Sequence, residues 1–279
     1  MVGDEGDPGR SAAGLTGGPA RDLRGQQVRA AYDEAASRWV AGPEQMYSAL
    51  ARALLAGAGV PLAGCRVLDI GAGTGVAARA ALAAGARQVV ATDLSAGMLR
   101  HISPPLGRVV AEATALPFRG GRFDLAVAAF CLGYLASITS GLREARRVAA
   151  AFAGSLFTPG WTHPAKAAVD TVLGRFGYRP PAWYAPFKQQ TEPAAADPAV
   201  LARGASAAGF AAVRLRTVTV PTGLSTPAEL AAWRLGMAHV APFVARLDPA
   251  RQAELRWAAE AALTGAPPLV VSMTVLTAS

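Results

Sequence analysis

The sequence predicts an α/β fold in which helices cover both faces of a mostly parallel sheet. Short β-branched segments alternate with alanine-rich helical segments through the first half of the chain, and this alternation requires crossover connections between parallel strands. Of the 279 residues, 52% are hydrophobic and 16% are charged, which supplies a large core and excludes a disordered or fibrous protein. The length suits one large domain or two small ones.

Seven segments have the pattern of β-strands, and the predicted helices lie between them. The strands are predicted over residues 65–70, 88–92, 108–111, 123–130, 151–158, 210–220 and 268–277. The helices of the core are predicted over residues 74–84, 96–102, 140–149, 200–208, 227–240 and 249–263. No internal repeat is visible, so the chain is not a solenoid or a propeller.

The composition along the chain indicates three parts. Residues 1–25 contain many Gly, Ala, Asp and Pro and few large apolar side chains, so we expect a disordered tail. Residues 26–60 have the pattern of two cap helices. Residues 61–279 form the predicted core, and insertions at about 160–200 and 222–266 are expected to build a lid over a substrate site.

The net charge of +8 carries little functional information. Nearly all of the positive charge is arginine, with Lys166 and Lys188 as the only lysines, and the arginines are scattered. This distribution favours solvated helix faces over a nucleic-acid surface. Two cysteines are too few for a disulfide framework or a zinc cluster, so no metal site is predicted. Without a membrane-length apolar run or a signal peptide, we expect a cytoplasmic protein with no membrane partner.

A glycine-rich turn follows the first predicted strand. After Asp69, a glycine stands at every second position, Gly71, Gly73 and Gly75, and a helix begins there. Glycine has no Cβ, so the backbone can approach a ligand closely, and the helix N-terminus offers free N–H groups. A dinucleotide fingerprint would place its third glycine where Val76 stands, and a phosphate-binding loop would carry a lysine, which is not near.

This Asp-x-Gly-x-Gly-x-Gly pattern resembles the S-adenosylmethionine loop of class I methyltransferases, in particular small-molecule enzymes of the type 11 group. The resemblance extends over most of residues 30–160 and implies S-adenosylmethionine as the cofactor. Asp93 stands where the family has its ribose-binding acid, and Glu112 stands where an adenine-reading Asp is commoner. The cofactor-binding residues implied are Asp69, Gly71, Ala72, Gly73, Thr74, Gly75, Asp93, Leu94, Met98, Glu112, Ala113 and Phe130.

The same resemblance implies the arrangement of the fold. It implies a Rossmann-like, doubly wound sheet of seven strands, mostly parallel with an antiparallel last strand, in a three-layer αβα sandwich with a helical cap or lid. Each residue assignment also has a structural alternative. The glycines could serve tight packing, Asp93 could cap the next helix, and Glu112 could be a surface acid. Tyr32 and Trp39, at helical spacing, could belong to the core.

Two histidines and a tyrosine are the candidate catalytic residues. Methyl transfer is an in-line displacement that depends on alignment, and a base is needed only where the acceptor must lose a proton. His163 follows the fifth strand at the carboxyl edge of the sheet, where sites form, and His239 lies in the second insertion. Tyr32 lies on a cap helix. For both histidines an imidazole without a catalytic role is the favoured alternative.

Aromatic residues are concentrated in the first insertion, where several prolines interrupt regular structure. These rings could shape an apolar acceptor pocket or could anchor the insertion to the core, and the sequence favours neither. The candidate acceptor-binding residues are Tyr32, Trp39, Tyr134, Trp161, Tyr184 and Met237.

The function expected from these residues is methyl transfer to a small aromatic or heteroaromatic metabolite of the phenol or indole type, in specialised metabolism. We expect a monomer or a homodimer whose partner is the small-molecule acceptor. Two alternatives remain at this point. One is an RNA or protein methyltransferase that binds through Arg143, Arg146 and Arg147, and the other is an S-adenosylmethionine-binding protein that does not methylate.

Overall fold

The computed structural model describes the backbone of residues 19–279 and the side chains from Gly25 onward. Most of the predicted tail therefore lies outside the described residues. Helix α1 begins at Pro19, within the segment predicted as tail, and continues to Ala41. Proline favours the first helical position, and Ala20, Arg21 and Leu23 are good helix formers, which accounts for the early start.

Seven strands form one sheet, and their positions agree closely with the predicted segments. They are β1 (Arg66–Ile70), β2 (Gln88–Asp93), β3 (Gly107–Val110), β4 (Phe123–Ala129), β5 (Ala149–Phe157), β6 (Val213–Pro221) and β7 (Val270–Ala278). The order across the sheet is β3-β2-β1-β4-β5-β7-β6. Strand β7 runs antiparallel to both β5 and β6, whereas all other neighbours are parallel. The predicted seven-stranded, mostly parallel sheet with an antiparallel last strand is confirmed.

Helices precede the sheet, connect its strands and build the insertions. After α1 come α2 (Pro43–Ala56), α3 (Val76–Ala83), α4 (Ala96–Leu99), α5 (Ile138–Val148) and α6 (Pro164–Arg175). The first insertion continues with α7 (Tyr184–Pro186), a π-helical turn over Phe187–Thr191, and α8 (Glu192–Ala196). The remaining helices are α9 (Pro198–Ala207), α10 (Pro227–Leu235), α11 (Ala241–Arg246) and α12 (Pro249–Ala262).

The core consists of two apolar layers, one on each face of the sheet. Adjacent residues of β1 belong to different layers: Val67 packs with α2, α3, α6, α10 and α12, and Leu68 packs with α5 and α9. Alternation of side chains along a strand produces this division. The three-layer αβα arrangement is therefore confirmed.

The helix predicted over residues 227–240 begins at Pro227 as expected, but it ends at Leu235 rather than at Val240. Helix α10 ends at Leu235, Gly236 follows, and α11 begins at Ala241 with Pro242 in its first turn. Glycine lowers helix stability, and the residue before a proline disfavours the helical conformation. Gly236 also packs closely on the cap, since an added Cβ would lie 2.5 Å from Pro43 Cδ.

Helix α1 packs over the carboxyl edge of the sheet. Its Ala35, Ala36 and Trp39 form a buried cluster with Met98 of α4 and with Ala238 and Ala241 of the second insertion. The cap and the second insertion are therefore in contact above the sheet. Among the described helices, none has both the length and the hydropathy needed to cross a membrane.

Candidate active site

The glycine turn between β1 and α3 has three left-handed glycines with different surroundings. Gly71, Gly73 and Gly75 have φ values of +65°, +55° and +84°. A Cβ on Gly71 would lie 2.4 Å from Cys131 Cβ, and one on Gly75 would lie 2.8 Å from Ile102 Cγ1. A Cβ on Gly73 would meet no atom within 4 Å. Packing therefore requires two of the glycines, and Gly73 opens onto free space.

That free space belongs to a cavity of about 500 Å³ at the carboxyl ends of the strands, which we name the outer chamber. Its volume is within the range of roughly 300–1,000 Å³ typical of small-ligand sites. The cavity lies where the strand order reverses between β1 and β4, the position at which open α/β sheets bind ligands. Of the predicted cofactor-binding residues, those that line it are Asp69, Gly71, Ala72, Gly73, Thr74, Asp93, Leu94, Met98, Glu112, Ala113 and Phe130.

Asp93 is held in place by backbone N–H groups. Its Oδ2 accepts a hydrogen bond from Gly73 N at 2.8 Å, and its Oδ1 accepts one from Ser95 N at 2.8 Å. The cap of α4 is Ser95, whose Oγ accepts from Met98 N, so Asp93 is not the helix cap. Burial raises the pKa of Asp93, and its carboxylate remains able to accept hydrogen bonds from a pair of ligand hydroxyls.

Asp69 is nearly inaccessible, with 1% of its surface exposed. Its Oδ2 accepts a hydrogen bond from Ala78 N at 2.8 Å, whereas Oδ1 is buried and has no hydrogen-bond partner in the described part of the chain. Burial is the main cause that raises the pKa of Asp69 to about 7. An unsatisfied buried carboxylate oxygen beside an open cavity fits a ligand that carries positive charge, as S-adenosylmethionine does.

Glu112 lies at the rim of the outer chamber, on the loop after β3. Its side chain is exposed, and Oε1 accepts a hydrogen bond from Thr114 Oγ1 at 2.7 Å. The surface-acid alternative and the adenine-binding prediction are therefore both compatible with its position. The hydrogen bond from Thr114 orients the Glu112 carboxylate, although the glutamate side chain is one methylene longer than the aspartate that is commoner at this position.

Phe130, directly after β4, has a strained backbone. Its φ is +59°, a value that bulky residues rarely adopt, and it is the single such non-glycine residue in the described part of the chain. Strain of this kind costs on the order of 1–3 kcal/mol and tends to occur at functional sites. Phe130 N donates to Ser155 O at 3.0 Å, and its ring contacts Tyr47 and Phe157. The strain thus holds one ring at the wall of the outer chamber.

A smaller cavity of about 50 Å³, the inner chamber, adjoins the outer one. The two chambers share six lining residues, which we name the junction: Tyr32, Tyr47, Tyr134, Phe157, Phe187 and Glu192. Tyr32 Oη donates a hydrogen bond to Tyr134 Oη at 2.8 Å, and the Tyr134 ring stacks on Phe187 at 4.3 Å. Burial raises the pKa of Tyr32, which favours the protonated phenol, a hydrogen-bond donor, over the phenolate that a catalytic base would need.

The structure brings five predicted acceptor-binding residues to the inner chamber and leaves one outside it. Trp39 lines the outer chamber alone, where it stacks on Tyr47 at 4.9 Å, and it also belongs to the buried cluster beneath the cap. The five that line the inner chamber are Tyr32, Tyr134, Trp161, Tyr184 and Met237.

His239 lies in the inner chamber, but it does not fit the predicted catalytic base. It is 5% exposed, and its ring stacks on Tyr184 at 3.8 Å. Arg234 Nη1 lies 2.9 Å from His239 Nε2, and arginine is always a donor, so Nε2 accepts and Nδ1 carries the proton. Burial and Arg234 hold the pKa of His239 well below its usual value. The lone pair of His239 Nε2 already accepts the hydrogen bond from Arg234, so it is not available to take a proton from an acceptor.

His163, the other histidine predicted as a catalytic residue, lines neither the inner nor the outer chamber. Its side chain caps helix α6, with Nδ1 accepting a hydrogen bond from Ala165 N at 3.2 Å. The residue is 6% exposed and packs edge-on against Trp233. Burial lowers the pKa of His163, and the hydrogen bond to Ala165 N makes this residue the N-cap of α6.

Three cations line the inner chamber, and the sequence reasoning did not assign them to the site. Lys188 forms an ion pair with Glu192, and Arg234 Nη2 forms one with Asp170 at 2.7 Å. Lys166 Nζ lies 3.8 Å from the centre of the Trp161 ring. The rarity of lysine is the feature of the sequence that could have indicated this cluster, because both lysines of this arginine-rich chain line the inner chamber.

Asp33 connects the cap to the cofactor end of the site. Its Oδ1 accepts hydrogen bonds from Ser95 Oγ and from Gly97 N, both at 2.7 Å. These contacts hold α1 over the start of α4, next to Asp93. Tyr32, the preceding residue, is thereby positioned at the junction.

The arginines of α5 are engaged with their own chain. Arg147 donates to Glu144, Phe118 O and Leu116 O, and Arg146 donates to Gly209 O. Only Arg143 of the three is exposed without such a contact in the described structure. Arg147 is therefore paired with a carboxylate, whereas Arg143 and Arg146 keep their charge at the surface.

The sheet, the glycine turn and the two buried acids define a class of protein, and sequence comparison agrees with it. The methyltransferase domain family matches residues 68–151. The chain is 38% identical over 128 residues to the demethylmenaquinone methyltransferase of Clavibacter sepedonicus, across 44% of this chain and 50% of that protein. It is 38% identical over 118 residues to the malonyl-[acyl-carrier protein] O-methyltransferase of Geobacter sulfurreducens, across 39% of this chain and 44% of the relative.

A longer match is to the demethylmenaquinone methyltransferase of Mycolicibacterium gilvum, with 32% identity across 55% of this chain and 72% of that protein. The chain therefore belongs to the class I S-adenosylmethionine-dependent methyltransferases, and S-adenosylmethionine is the cofactor of this family. It spans about half the length or less of the first two relatives above.

Two solved structures share the fold. One is a protein of Anabaena variabilis described as a methyltransferase from an antibiotic biosynthesis pathway, with a TM-score of 0.58, 14% identity, and 82% of this chain and 96% of that chain covered. The other is the [4+2]-cyclase SpnF, with a TM-score of 0.51, 17% identity, and 83% and 79% covered. At these identities the likeness concerns architecture alone.

Proposed function

We propose that this protein transfers the methyl group of S-adenosylmethionine to a small aromatic or heteroaromatic acceptor of the phenol or indole type. The observation that carries the proposal is the pair of adjoining chambers. The outer one has the loop and acids of a cofactor site, and the junction that leads to the inner one consists almost entirely of aromatic rings. A flat acceptor between these rings would lie beside the cofactor end.

The relatives support a small molecule as the acceptor. Several of them are named demethylmenaquinone methyltransferases, and demethylmenaquinone is a small molecule. The enclosed junction also suits a free small molecule better than a protein side chain on a large surface.

The residues of this chain would act mainly through binding and alignment. S-adenosylmethionine supplies an electrophilic methyl group when bound. Asp93 would hold the ribose, the glycine turn would seat the adenosyl part, and Asp69 would face the positive charge. The junction rings would exclude water and align the acceptor, and positioning of this kind can supply much of the rate enhancement. Methylation of a phenol or indole also releases a proton. A phenol would bind as the phenolate after giving its proton to water, and an indole would release its proton to water after the transfer. Tyr134, which accepts a hydrogen bond from Tyr32, would donate its own O–H to the acceptor oxygen.

Replacement of Asp93 tests the cofactor half of the proposal. We expect Asp93→Ala to weaken S-adenosylmethionine binding by about 2 kcal/mol, roughly 30-fold, because ribose hydroxyls lose a charged acceptor. Isothermal titration calorimetry measures the change. Asp124→Ala is the matched control, since Asp124 pairs with Arg66 at the opposite ends of the strands and should leave affinity unchanged. Equal affinity of Asp93→Ala and the unmodified protein would refute the ribose assignment.

A labelled methyl donor tests the acceptor half. The protein would be incubated with the donor and a panel of phenols and indoles, and in parallel with RNA and with a protein extract. We expect label to enter a small aromatic product together with release of S-adenosylhomocysteine. Label confined to RNA or protein, or no release of S-adenosylhomocysteine with any acceptor, would contradict the proposal.

A further inference from the structure

We propose that the inner chamber binds an anionic group of the carboxylate type on the acceptor, and that Lys166 is the cation that contacts it. This inference rests on the proposed function, since it concerns the acceptor of that reaction. It identifies the acceptor as an aromatic acid rather than a neutral aromatic molecule.

The placement of lysine is the first observation. The chain has 27 Lys+Arg, of which two are lysine, and both lysines line the inner chamber. Arginine carries the positive charge everywhere else, so lysine is not the general surface cation of this protein. A lysine ammonium is compact and has three rotatable donors, whereas a guanidinium is a planar fork, so Lys166 and Lys188 can each turn a donor toward a group that enters the chamber.

The balance of charge is the second observation. Lys188 is paired with Glu192, and Arg234 is paired with Asp170. The Lys166 ammonium has no ion pair and no hydrogen bond in the described part of the chain, and its Nζ instead lies over Trp161 at 3.8 Å and over Phe157 at 5.8 Å. Of the three cations that line the chamber, two are paired with carboxylates, and Lys166 alone has no carboxylate partner in the described structure.

The size of the chamber is the third observation. A water-sized group needs roughly 10–15 Å³ of such space, so the volume of about 50 Å³ accepts about three to five groups of that size. A carboxylate has three heavy atoms. The aromatic ring that carries it would then occupy the junction between Tyr134 and Phe157, with its opposite end in the outer chamber, near the cofactor.

The lowered pKa of Lys166 links its protonation to the binding of an anionic ligand. Burial and the charges of Lys188 and Arg234 lower the pKa of Lys166 to about 7, while Glu192 and Asp170 act in the opposite direction. His239, which also faces the chamber, has a pKa held well below its usual value and stays neutral. A bound carboxylate stabilises the ammonium and raises this pKa, so carboxylate affinity should fall as pH rises above about 7.

Lysine-selective isotope labelling tests the proposal directly. Protein made with lysine labelled with ¹³C at Cε gives two side-chain signals, both from the inner chamber, and Lys166→Met identifies which is which. The protein is saturated with S-adenosylhomocysteine and titrated with 4-hydroxybenzoate or with the neutral 4-hydroxybenzamide. We expect the benzoate to raise the titration midpoint of Lys166 by about one pH unit and the amide to leave it unchanged.

The binding affinities of 4-hydroxybenzoate and 4-hydroxybenzamide provide an independent test of the carboxylate contact. We expect the benzoate to bind about tenfold more tightly than the amide at pH 6.5, a preference that Lys166→Met abolishes and Lys166→Arg partly retains. Equal affinities, no binding of either probe at millimolar concentration, or an unchanged preference in Lys166→Met would overturn the proposal. Failure of the methyl-donor experiment with intact benzoate preference would instead overturn the proposed function, so the two failures are distinguishable.

Discussion

Asp69 shows how a single buried carboxylate can link cofactor binding to stability. Its Oδ1 has no partner in the described structure, and its pKa is raised to about 7 by burial. The folded state therefore binds a proton more tightly than the unfolded chain does. The stabilising contribution of this group is complete below about pH 4 and is lost as pH rises through about 7.

We expect Asp69→Asn to make the ligand-free protein more stable at pH 8 and to weaken S-adenosylmethionine binding about tenfold. The amide oxygen can still accept from Ala78 N, and no charge remains buried, so the free energy of unfolding at pH 8 should rise by about 1 kcal/mol or more. Urea unfolding at pH 5 and pH 8 measures the effect. A pH dependence identical to that of the unmodified protein would show that Asp69 does not titrate in this range.

Sequence reasoning predicted Asp69 and the glycines of the outer chamber because their spacing along the chain reflects one local turn, and it predicted Asp93 and Glu112 from the resemblance to class I methyltransferases. It did not predict which atoms hydrogen-bond to the rings of His163 and His239 or whether these rings face a cavity. Whether His239 Nε2 is free depends on Arg234, and whether His163 faces a cavity depends on the packing of Trp233. Such facts arise from tertiary contacts that no spacing rule contains.

At the level of elements, α1 covers the outer chamber and is held there by side-chain contacts with several other segments. Asp33 accepts two hydrogen bonds from the start of α4, and Ala35, Ala36 and Trp39 supply the apolar contact. The helix also packs Ala31 against Trp183 and Phe187, and it donates hydrogen bonds from Tyr32 to Tyr134 and from Arg38 to Gln252. Local opening of α1 therefore has to break several contacts, but none of them lies within the sheet. Because α1 covers the outer chamber, its opening would admit the cofactor.

We expect Asp33→Ala to increase amide hydrogen exchange in α1 and α4 by roughly tenfold or more, since hydrogen bonds to a charged group contribute about 1.5–3 kcal/mol. Glu34→Ala is a matched control on the same turn, because Glu34 is exposed and lies 4.0 Å from Arg246. Mass spectrometry of exchange measures both variants. Equal exchange in the two would contradict a latching role for Asp33.

Helices were predicted well where an apolar stripe or a glycine marked their ends, as in α3, α9 and α12. Helix α6 was missed, although Ala165, Val169 and Leu173 are buried at helical spacing, because His163 is an uncommon cap and the surrounding prolines indicated a loop. Helix ends depend on such local caps, and an imidazole cap gives a weak signal in the sequence.

The whole molecule builds one site from both halves of the sequence. The outer chamber comes from β1 to β4 with the cap, and the inner chamber comes from α6 to α8 and α10. We therefore expect S-adenosylhomocysteine at a hundredfold excess over its Kd to stabilise the fold by about 2.7 kcal/mol and to raise the Tm by about 5–10 °C. Calorimetry measures the shift, and Asp93→Ala at the same ligand concentration should show a smaller one. An unchanged Tm in the unmodified protein would contradict cofactor binding to the native state.

The alternation of strands and helices predicted the layers of the molecule, because only a parallel sheet covered on both faces accommodates it. It did not predict how the insertions meet above the sheet. Contacts such as Arg234 with Asp170 join segments that are 64 residues apart, and these long-range contacts form the inner chamber.

The position of β7 has a consequence for folding during synthesis. Strand β7 (residues 270–278) pairs with both β5 and β6, and the ribosome synthesises these two strands before it. Until β7 leaves the ribosome, both neighbours present open backbone edges that can pair with other chains. The nascent protein is therefore most prone to aggregate late in translation, and chaperone demand should fall sharply once this strand is inserted.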